Sequence, residues 1–260
     1  MAINSPLTKT VIGRVSYLNS TPFFHGWPSG DAWDWIDASP RQLGQEAQAG
    51  RLTAGPMALG DFLRLRDQFE RMGNLGIAVR GRCGSVSLFS KRPIRQLDGA
   101  TIGITDHTST TALLLRLILE QRHQCHPKEY VPNVLDDTDA VLLIGDEALK
   151  FHAHDHRYPY ETDLAFEWWL WQHLPAVFAV WVVRQDASVS DKQQLLRLLQ
   201  RQLTVNLSQL STLETEGAEA LGVPADRVKG YLERFVYRLG ELEETAITRF
   251  TDLVHEHRLL

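Results

Sequence analysis

The sequence predicts an α/β fold with largely parallel strands and a helical C-terminal segment. Short apolar runs alternate with amphipathic stretches as far as residue 184, which is typical of α/β proteins. Residues 140–144 are continuously apolar, as expected of a strand buried on both faces. Leucines recur at helical spacing after residue 190. The 260 residues are many for one core and few for two independent domains, so two lobes sharing one chain would fit.

The first third of the chain alternates strand and helix patterns. Ser39 followed by Pro40 predicts a helix start, because serine caps helices and proline suits the first turn. Gly50 predicts the end of that helix after Ala49. In chain order we expect a strand at 11–15, a helix at 40–49, a strand at 52–59, a helix at 62–69 and strands at 75–79 and 85–89.

The middle third repeats this pattern, and the last third is predicted to be helical throughout. We expect strands at 101–105, 140–144 and 177–183, with helices at 112–120 and 147–151. After residue 183 we expect helices at 191–207, 224–237 and 241–257. Their apolar stripes are expected to pack against a sheet.

Composition excludes several classes of protein. With 43% hydrophobic and 23% charged residues, the chain is not of the disordered type. A net charge of −5 without a basic patch argues against nucleic-acid binding. No apolar run is long enough to span a membrane, and the N-terminus lacks the pattern of a secretory signal. Cys83 and Cys125 give no disulfide framework, so we expect a cytoplasmic protein.

Five sequence blocks stand in a fixed order between about residues 11 and 184. They are 13–23 (GRVSYLNSTPF), 84–90 (GSVSLFS, followed by Pro93-Ile94 and Leu97-Asp98-Gly99), 108–111 (TSTT), 142–149 (LLIGDEAL), and 163–181 with Asp163-Leu164, Trp168 and LPAVFAVW at 174–181. In order and spacing these blocks resemble the chorismate dehydratase family of the futalosine route to menaquinone.

The resemblance implies a two-lobed, periplasmic-binding-protein-like type II fold with the ligand between the lobes. One lobe would comprise residues 1–92 and 178–260, and the other residues 93–177. The implied reaction converts chorismate to 3-[(1-carboxyvinyl)oxy]benzoate, and the implied site needs no metal or organic cofactor. The resemblance also implies that Asn19 and Ser85 are catalytic and touch the reacting part of the substrate.

Two polar segments are candidates for binding a small anionic substrate. Thr108, Ser109, Thr110 and Thr111 gather four hydroxyls at a predicted helix start, where free N–H groups favour anions. The alternative is ordinary N-capping by one hydroxyl. Asn19 follows the first strand, and ligands of open α/β sheets bind beyond the carboxyl ends of strands. The alternative for Asn19 is an Asx-turn.

Four further residues are predicted to face the ligand or to position it. Ser85 lies at the start of a strand, where its hydroxyl could relay a proton or bind a carboxylate; the alternative is a polar residue that only begins the strand. Gly145 and Asp146 follow the apolar strand, so Asp146 is either an acid–base group or a helix cap. Phe178 could wall the cleft against a substrate ring.

Some alternatives stay open. His152, His154 and His156 alternate as metal ligands can, but a solvated loop explains them equally simply. The fold is also used by receptors, so a non-catalytic binding protein for a small anionic aromatic metabolite, a ligand-sensing domain, or a related enzyme with another substrate are alternatives. The sequence leaves the oligomeric state open.

Overall fold

The computed structural model describes residues 10–28, 33–132, 138–154 and 157–260. Its strands are β1 (Thr10–Arg14), β2 (Trp33–Asp37), β3 (Ala54–Ala58), β4 (Phe69–Val79), β5 (Val86–Ser90), β6 (Thr101–Ile104), β7 (Glu129–Pro132), β8 (Ala140–Ile144), β9 (Tyr160–Asp163), β10 (Ala176–Arg184) and β11 (Phe235–Arg238). Its helices are α1 (Thr21–Phe24), α2 (Pro40–Gln48), α3 (Leu59–Leu65), α4 (Thr110–Arg116), α5 (Gly145–His154), α6 (Leu164–Gln172), α7 (Val189–Leu207), α8 (Leu210–Leu221), α9 (Ala225–Val228) and α10 (Glu241–Glu256). Short 3₁₀ turns cover Leu18–Ser20, Ile94–Gln96 and Leu232–Arg234, and a π-helical stretch, Leu117–Arg122, continues α4.

The larger sheet has six strands in the order β11-β4-β10-β3-β1-β2. β1 runs parallel to β2 and β3, whereas β10 runs antiparallel to β3 and β4, with Val180 opposite Met57 and Gly76. The predicted parallel arrangement therefore holds for only part of this sheet. A continuous apolar run such as 177–183 indicates burial on both faces, and it does not by itself fix strand direction.

The smaller sheet has five strands in the order β7-β6-β8-β5-β9. β6 pairs in parallel with β7 and β8, while β5 is antiparallel to β8 and β9. One continuous stretch of chain, from β5 to β9, supplies all five strands, whereas two separated stretches supply the larger sheet. The lobe limits at residues 92/93 and 177/178 stay a prediction.

The C-terminal third contains a strand that the sequence did not predict. The helix expected at 224–237 is wrong: α9 ends at Val228, Gly230 adopts a left-handed φ of 66°, and β11 follows. β11 pairs antiparallel with β4 at the edge of the larger sheet. Its aromatic and β-branched residues favour a strand, and Gly230 breaks the helical pattern before it.

The helix predicted at 62–69 is displaced. α3 covers Leu59–Leu65, and Phe69 instead begins β4, where it is buried and pairs with Arg184. The spacing of Phe62, Leu65 and Phe69 matches a helix, but tertiary burial of Phe69 in the sheet decides its structure. The sequence patterns also do not predict β2, β7, β9, α6 or α8.

A single cluster of buried apolar side chains joins the two sheets. Ile12, Met57 and Val180 from the larger sheet and Leu88 and Leu142 from the smaller sheet belong to this cluster. Because the two sheets share a core, the loops at their facing ends are held at fixed positions. The candidate site lies among those loops.

Candidate functional site

A cavity lies where the two sheets face each other, and its empty space, including the part that is open to solvent, is about 570 Å³. Its walls come from the loop after β1, from β3, β4, β5 and β10, from the start of α4 and from the junction of β8 with α5. The lining residues of this cleft cavity are Val15, Tyr17, Asn19, Ser20, Pro40, Pro56, Ala58, Ile77, Val86, Thr108, Thr110, Thr111, Ile144, Gly145, Phe178 and Ala179. None of these lining side chains is a charged residue, so the cavity offers apolar walls and neutral polar groups.

The structure brings most of the predicted site residues to this cavity. Those that line it are Asn19, Thr108, Thr110, Thr111, Gly145 and Phe178. Those that do not line it are Ser85, Ser109 and Asp146. They nevertheless lie beside lining residues in the chain, and each has a defined partner described below.

The hydroxyls at the start of α4 have different tasks. Thr108 Oγ1 accepts a 3.2 Å hydrogen bond from the Thr111 N–H and so caps the helix. Thr110 Oγ1 accepts from the Gly60 N–H and donates to the Phe178 carbonyl, each at 3.0 Å. Thr110 therefore ties α4 to α3 and β10, whereas the Thr108 hydroxyl makes a hydrogen bond of the kind that the N-capping alternative describes and also lines the cavity.

The remaining two hydroxyls of this segment face opposite surroundings. Ser109 Oγ donates to Asp61 Oδ1 at 2.7 Å and accepts from Arg64, so it serves an ion-paired groove outside the cavity. Burial raises the pKa of Asp61, while Ser109 and Arg64 oppose that rise. Thr111 lines the cavity, and its hydroxyl has no hydrogen-bond partner among the described residues.

Asn19 lies in the 3₁₀ turn directly after β1, as its position beyond the strand end predicted. Its Oδ1 accepts a long, 3.4 Å hydrogen bond from the Ser20 hydroxyl. Within the described part of the chain its amide nitrogen has no partner, so it can donate to a ligand in the cavity.

Tyr17 is a lining residue that the sequence reading did not single out. Its ring packs closely on Gly145. A Cβ at position 145 would lie only 2.6 Å from Tyr17 Cδ2, so the ring occupies the space that a side chain there would need. Gly145 also has a φ of 57°, a conformation that glycine adopts without strain. Tyr17 stands in the 13–23 block, so the sequence pointed to its segment. It did not point to the contact with Gly145, because the two residues are 128 positions apart in the chain.

Ser85 lies behind the cavity wall and is fully buried. The Tyr231 hydroxyl donates to Ser85 Oγ at 2.7 Å, and Cys83 Sγ lies 3.3 Å from the same oxygen. Burial raises the pKa of Cys83 to about 12 and holds that of Tyr231 well above its ordinary value, so both groups stay protonated. The Ser85 carbonyl also accepts from the Gly145 N–H at 2.7 Å, which links Ser85 to the lining.

The loop before Ser85 is fixed by a buried carboxylate. Asp163 Oδ2 accepts from the N–H groups of Cys83 and Gly84 at 2.9 and 2.7 Å, and Oδ1 accepts from Phe166 at the start of α6. Burial raises the pKa of Asp163, and these three backbone donors oppose the rise. Asp163 therefore positions the Ser85 loop.

Asp146 caps the turn that carries Asn19. Its Oδ1 accepts a 2.9 Å hydrogen bond from the Leu18 N–H, so it serves another segment instead of its own helix. Burial raises the pKa of Asp146 to about 6, while the Leu18 N–H and Lys150 act in the opposite direction. A carboxyl with such a pKa exists in both protonation states near neutral pH, as an acid–base group requires.

The histidine tract cannot be placed in the site. The side chains of His152 and His154, and all of His156, lie outside the described residues. Elsewhere, the described ranges contain no group of three His, Cys, Asp or Glu side chains arranged to hold a metal ion. Over the same ranges, no helix has the length and apolar character needed to cross a membrane.

Comparison with known sequences finds one family along almost the whole chain. A family model described as menaquinone biosynthesis matches residues 10–256. The curated chorismate dehydratase of Thermus thermophilus is 27% identical over 259 residues, covering 93% of this chain and 94% of that protein.

Comparison with solved structures confirms the predicted fold. A protein of Archaeoglobus fulgidus superposes with a TM-score of 0.78 at 18% identity, over 97% of this chain and 98% of that chain. The alkanesulfonate-binding protein of Xanthomonas axonopodis pv. citri, bound to MOPS, gives 0.68 at 16% identity over 97% and 94%. A Candida albicans protein described as having the generic periplasmic binding protein fold gives 0.58 at 11% over 98% and 91%. These likenesses show a periplasmic-binding-protein-like fold.

Proposed function

Because the chain belongs to the menaquinone biosynthesis family, we propose that it is a chorismate dehydratase, a hydro-lyase that converts chorismate to 3-[(1-carboxyvinyl)oxy]benzoate and water. This reaction would place the protein in the futalosine route. The observation that carries the proposal is the cleft cavity itself, which is lined by residues from all five sequence blocks.

The cavity suits a small ring substrate. Phe178, Ile144 and Val86 give it apolar walls, and Asn19 and Thr111 offer neutral hydrogen-bond donors at the same surface. A ligand pocket of this kind combines apolar lining with a few polar groups that fix orientation. Chorismate, a ring of six carbons with a carboxylate, a hydroxyl and an enolpyruvyl ether, matches that combination.

The proposed chemistry is a balanced elimination. The proton on C3 leaves, and the electrons of its bond stay in the ring. The C4 hydroxyl departs with the electron pair of the C–O bond. The proton and the departing hydroxide together make one water molecule. The cyclohexadiene becomes a benzene ring, which supplies the driving force. The dehydration changes no net oxidation state, so its balance requires no electron acceptor.

The protein is proposed to position the substrate and to exclude water. The Asn19 amide would hold a substrate oxygen, and Ser85 would act at the reacting carbons after a small movement of the wall formed by Val86 and Gly145. Removing water and fixing the reacting groups both lower the barrier of such a step. The proton acceptor in this proposal is either a substrate carboxylate or Asp146, whose pKa of about 6 suits proton transfer.

The remaining features are also part of the proposal. We place the lobe boundaries at residues 92/93 and 177/178, with closure of the lobes sequestering the substrate. We expect a cytoplasmic enzyme, in keeping with its similarity to a chorismate dehydratase. No metal or organic cofactor is assigned to the reaction.

One assay tests the proposed function. Purified protein is incubated with chorismate, and the product is followed by chromatography and ultraviolet absorbance. We expect turnover by the wild type and strongly reduced turnover by Asn19→Asp, which keeps the size of the side chain but adds a negative charge. Arg201→Gln is the control, because Arg201 is exposed on α7 and does not line the cavity.

The outcomes separate the alternatives. Saturable binding of chorismate without turnover would support a binding protein without catalysis, such as the alkanesulfonate-binding protein that shares this fold. If the protein neither binds chorismate nor turns it over, chorismate is not its ligand. Full activity of Asn19→Asp would remove Asn19 from the mechanism.

A further inference from the structure

Tyr17 has a buried phenolic oxygen in the wall of the cleft cavity, and among the described residues this oxygen has no hydrogen-bond partner. Almost all buried polar groups in proteins are paired, so an unpaired one calls for an explanation. Three other buried or half-buried tyrosine hydroxyls of this chain follow that rule. Tyr231 donates to Ser85, Tyr130 to Glu120, and Tyr158 is within 3.0 Å of the Thr138 hydroxyl.

The position of Tyr17 is held by its neighbours, so its hydroxyl cannot easily move to another partner. The Tyr17 carbonyl accepts from the Ser20 N–H at 2.9 Å, and the next residue, Leu18, is held by Asp146. The ring lies against the bare backbone of Gly145. Both sides of the residue are therefore fixed, and its hydroxyl stays in the wall of the cavity.

The surroundings of Tyr17 determine what kind of group it can meet. Burial raises the pKa of Tyr17 most, and the carboxyl groups of Glu147, Asp146 and Asp106 raise it further. The hydroxyl therefore remains protonated and is a donor. These carboxyl groups also disfavour a carboxylate at this position, because like charges repel. A neutral oxygen of the ligand is the acceptor that fits.

We propose that Tyr17 is a catalytic residue whose hydroxyl donates a hydrogen bond to the departing C4 hydroxyl of the substrate, an inference that rests on the function proposed above. The acceptor is neutral when the substrate binds and gains negative charge as the C–O bond breaks. The hydrogen bond therefore strengthens towards the transition state and acts on turnover more than on binding.

Tyr237 supplies a matched control. Its hydroxyl is also buried without a partner in the described part of the chain, but its ring packs against Phe23 and Phe235 and it does not line the cavity. Tyr17→Phe and Tyr237→Phe thus each remove a buried phenolic oxygen that has no partner among the described residues. Only the first change removes it from the cavity.

The test compares kcat, KM and product inhibition in the wild type and the two variants. For Tyr17→Phe we expect kcat to fall about 100-fold with little change in KM, as for other donors to a developing charge. Because the product lacks the C4 hydroxyl, the inhibition constant of the product should be the same for Tyr17→Phe as for the wild type. The melting temperature should stay the same or rise, because no hydrogen bond within the protein is lost. Tyr237→Phe should match the wild type in all four measurements.

The outcomes that overturn the inference are distinct from failure of the proposed function. If the wild type does not turn over chorismate, the proposed function fails and the inference fails with it. If the wild type is active and Tyr17→Phe is equally active, the inference alone is wrong. A higher KM with unchanged kcat, or weaker product binding, would show that Tyr17 binds another part of the ligand. A large fall in melting temperature would show a structural role.

Discussion

The Tyr231 hydroxyl donates a 2.7 Å hydrogen bond to Ser85 Oγ, which joins the C-terminal segment to the smaller sheet. The backbone on either side of Tyr231 is held by Glu214, whose carboxylate accepts from the N–H groups of Gly230 and Leu232 at 2.9 and 2.8 Å. Glu214, Tyr231 and Ser85 therefore form a continuous polar connection from α8 to the strand beside the cavity. This connection fixes the orientation of the Ser85 hydroxyl.

Tyr231→Phe should lower the free energy of unfolding by about 1–3 kcal/mol, because the variant leaves a buried hydroxyl without its donor. Urea unfolding of Tyr231→Phe, Ser85→Ala and the double variant measures the coupling. We expect the double variant to be less destabilised than the sum of the two single variants. Strict additivity would show that the two hydroxyls do not interact. Tyr237→Phe is the control, since its hydroxyl has no partner in the described structure.

The sequence could place the loops of the site because they follow strand ends. Asn19 after β1 and Gly145 after β8 were found in this way, since the ends of strands meet where two sheets face each other. The hydroxyls of Thr108 and Thr111 were found as a helix start. These features depend on short segments, which local sequence patterns describe well.

The partners that complete the site could not be predicted from local patterns. Tyr231 contacts Ser85 across 146 residues and stands in a segment that was wrongly predicted to be helical. Asp146 accepts a hydrogen bond from the Leu18 N–H, which is 128 residues away in the chain, although the position of Asp146 suggested a cap for its own helix. Such contacts arise only when the two sheets have packed, so periodicity carries no information about them.

Thr110→Val should destabilise the protein by about 2–4 kcal/mol. The Thr110 hydroxyl is buried and serves both the Gly60 N–H and the Phe178 carbonyl, and valine of nearly the same shape leaves both groups unpaired. Thr110→Ser keeps the hydroxyl and should lose much less. Thr111→Val is the control for stability, because its hydroxyl has no partner among the described residues. Equal free energies of unfolding for Thr110→Val and Thr111→Val would contradict the bridging role of Thr110.

The pKa of Asp146, about 6 in the folded protein against an ordinary 3.8, predicts a pH-dependent contribution to stability. Between these two values the folded state binds the proton more strongly than the unfolded state, so this contribution falls as pH rises. The difference in free energy of unfolding between the wild type and Asp146→Asn should decrease from about pH 4 to pH 6 and then level off. Urea unfolding at a series of pH values measures it.

Asp37 gives a comparison of opposite sign. Its hydrogen bonds with Arg14 lower the pKa of its carboxyl, so its contribution is present at neutral pH and is lost as pH falls towards the folded pKa. The free energy of unfolding of the wild type minus that of Asp37→Asn should therefore rise with pH over the acidic range. The same slope for Asp37 and Asp146 would contradict the assignment of their pKa shifts.

Gly145→Ala should cost more stability than the same change at another left-handed glycine. Gly145 and Gly222 have φ values of 57° and 66°, so alanine is strained at both positions by about 1–2 kcal/mol. At Gly222 an added Cβ meets no atom within 4 Å, whereas at Gly145 it lies 2.6 Å from the Tyr17 ring. The excess loss for Gly145→Ala in urea unfolding therefore measures the contact with Tyr17. Adding Tyr17→Ala should reduce that excess, because the small side chain removes the clash. Equal losses at Gly145 and Gly222 would show that the Tyr17 ring moves aside freely.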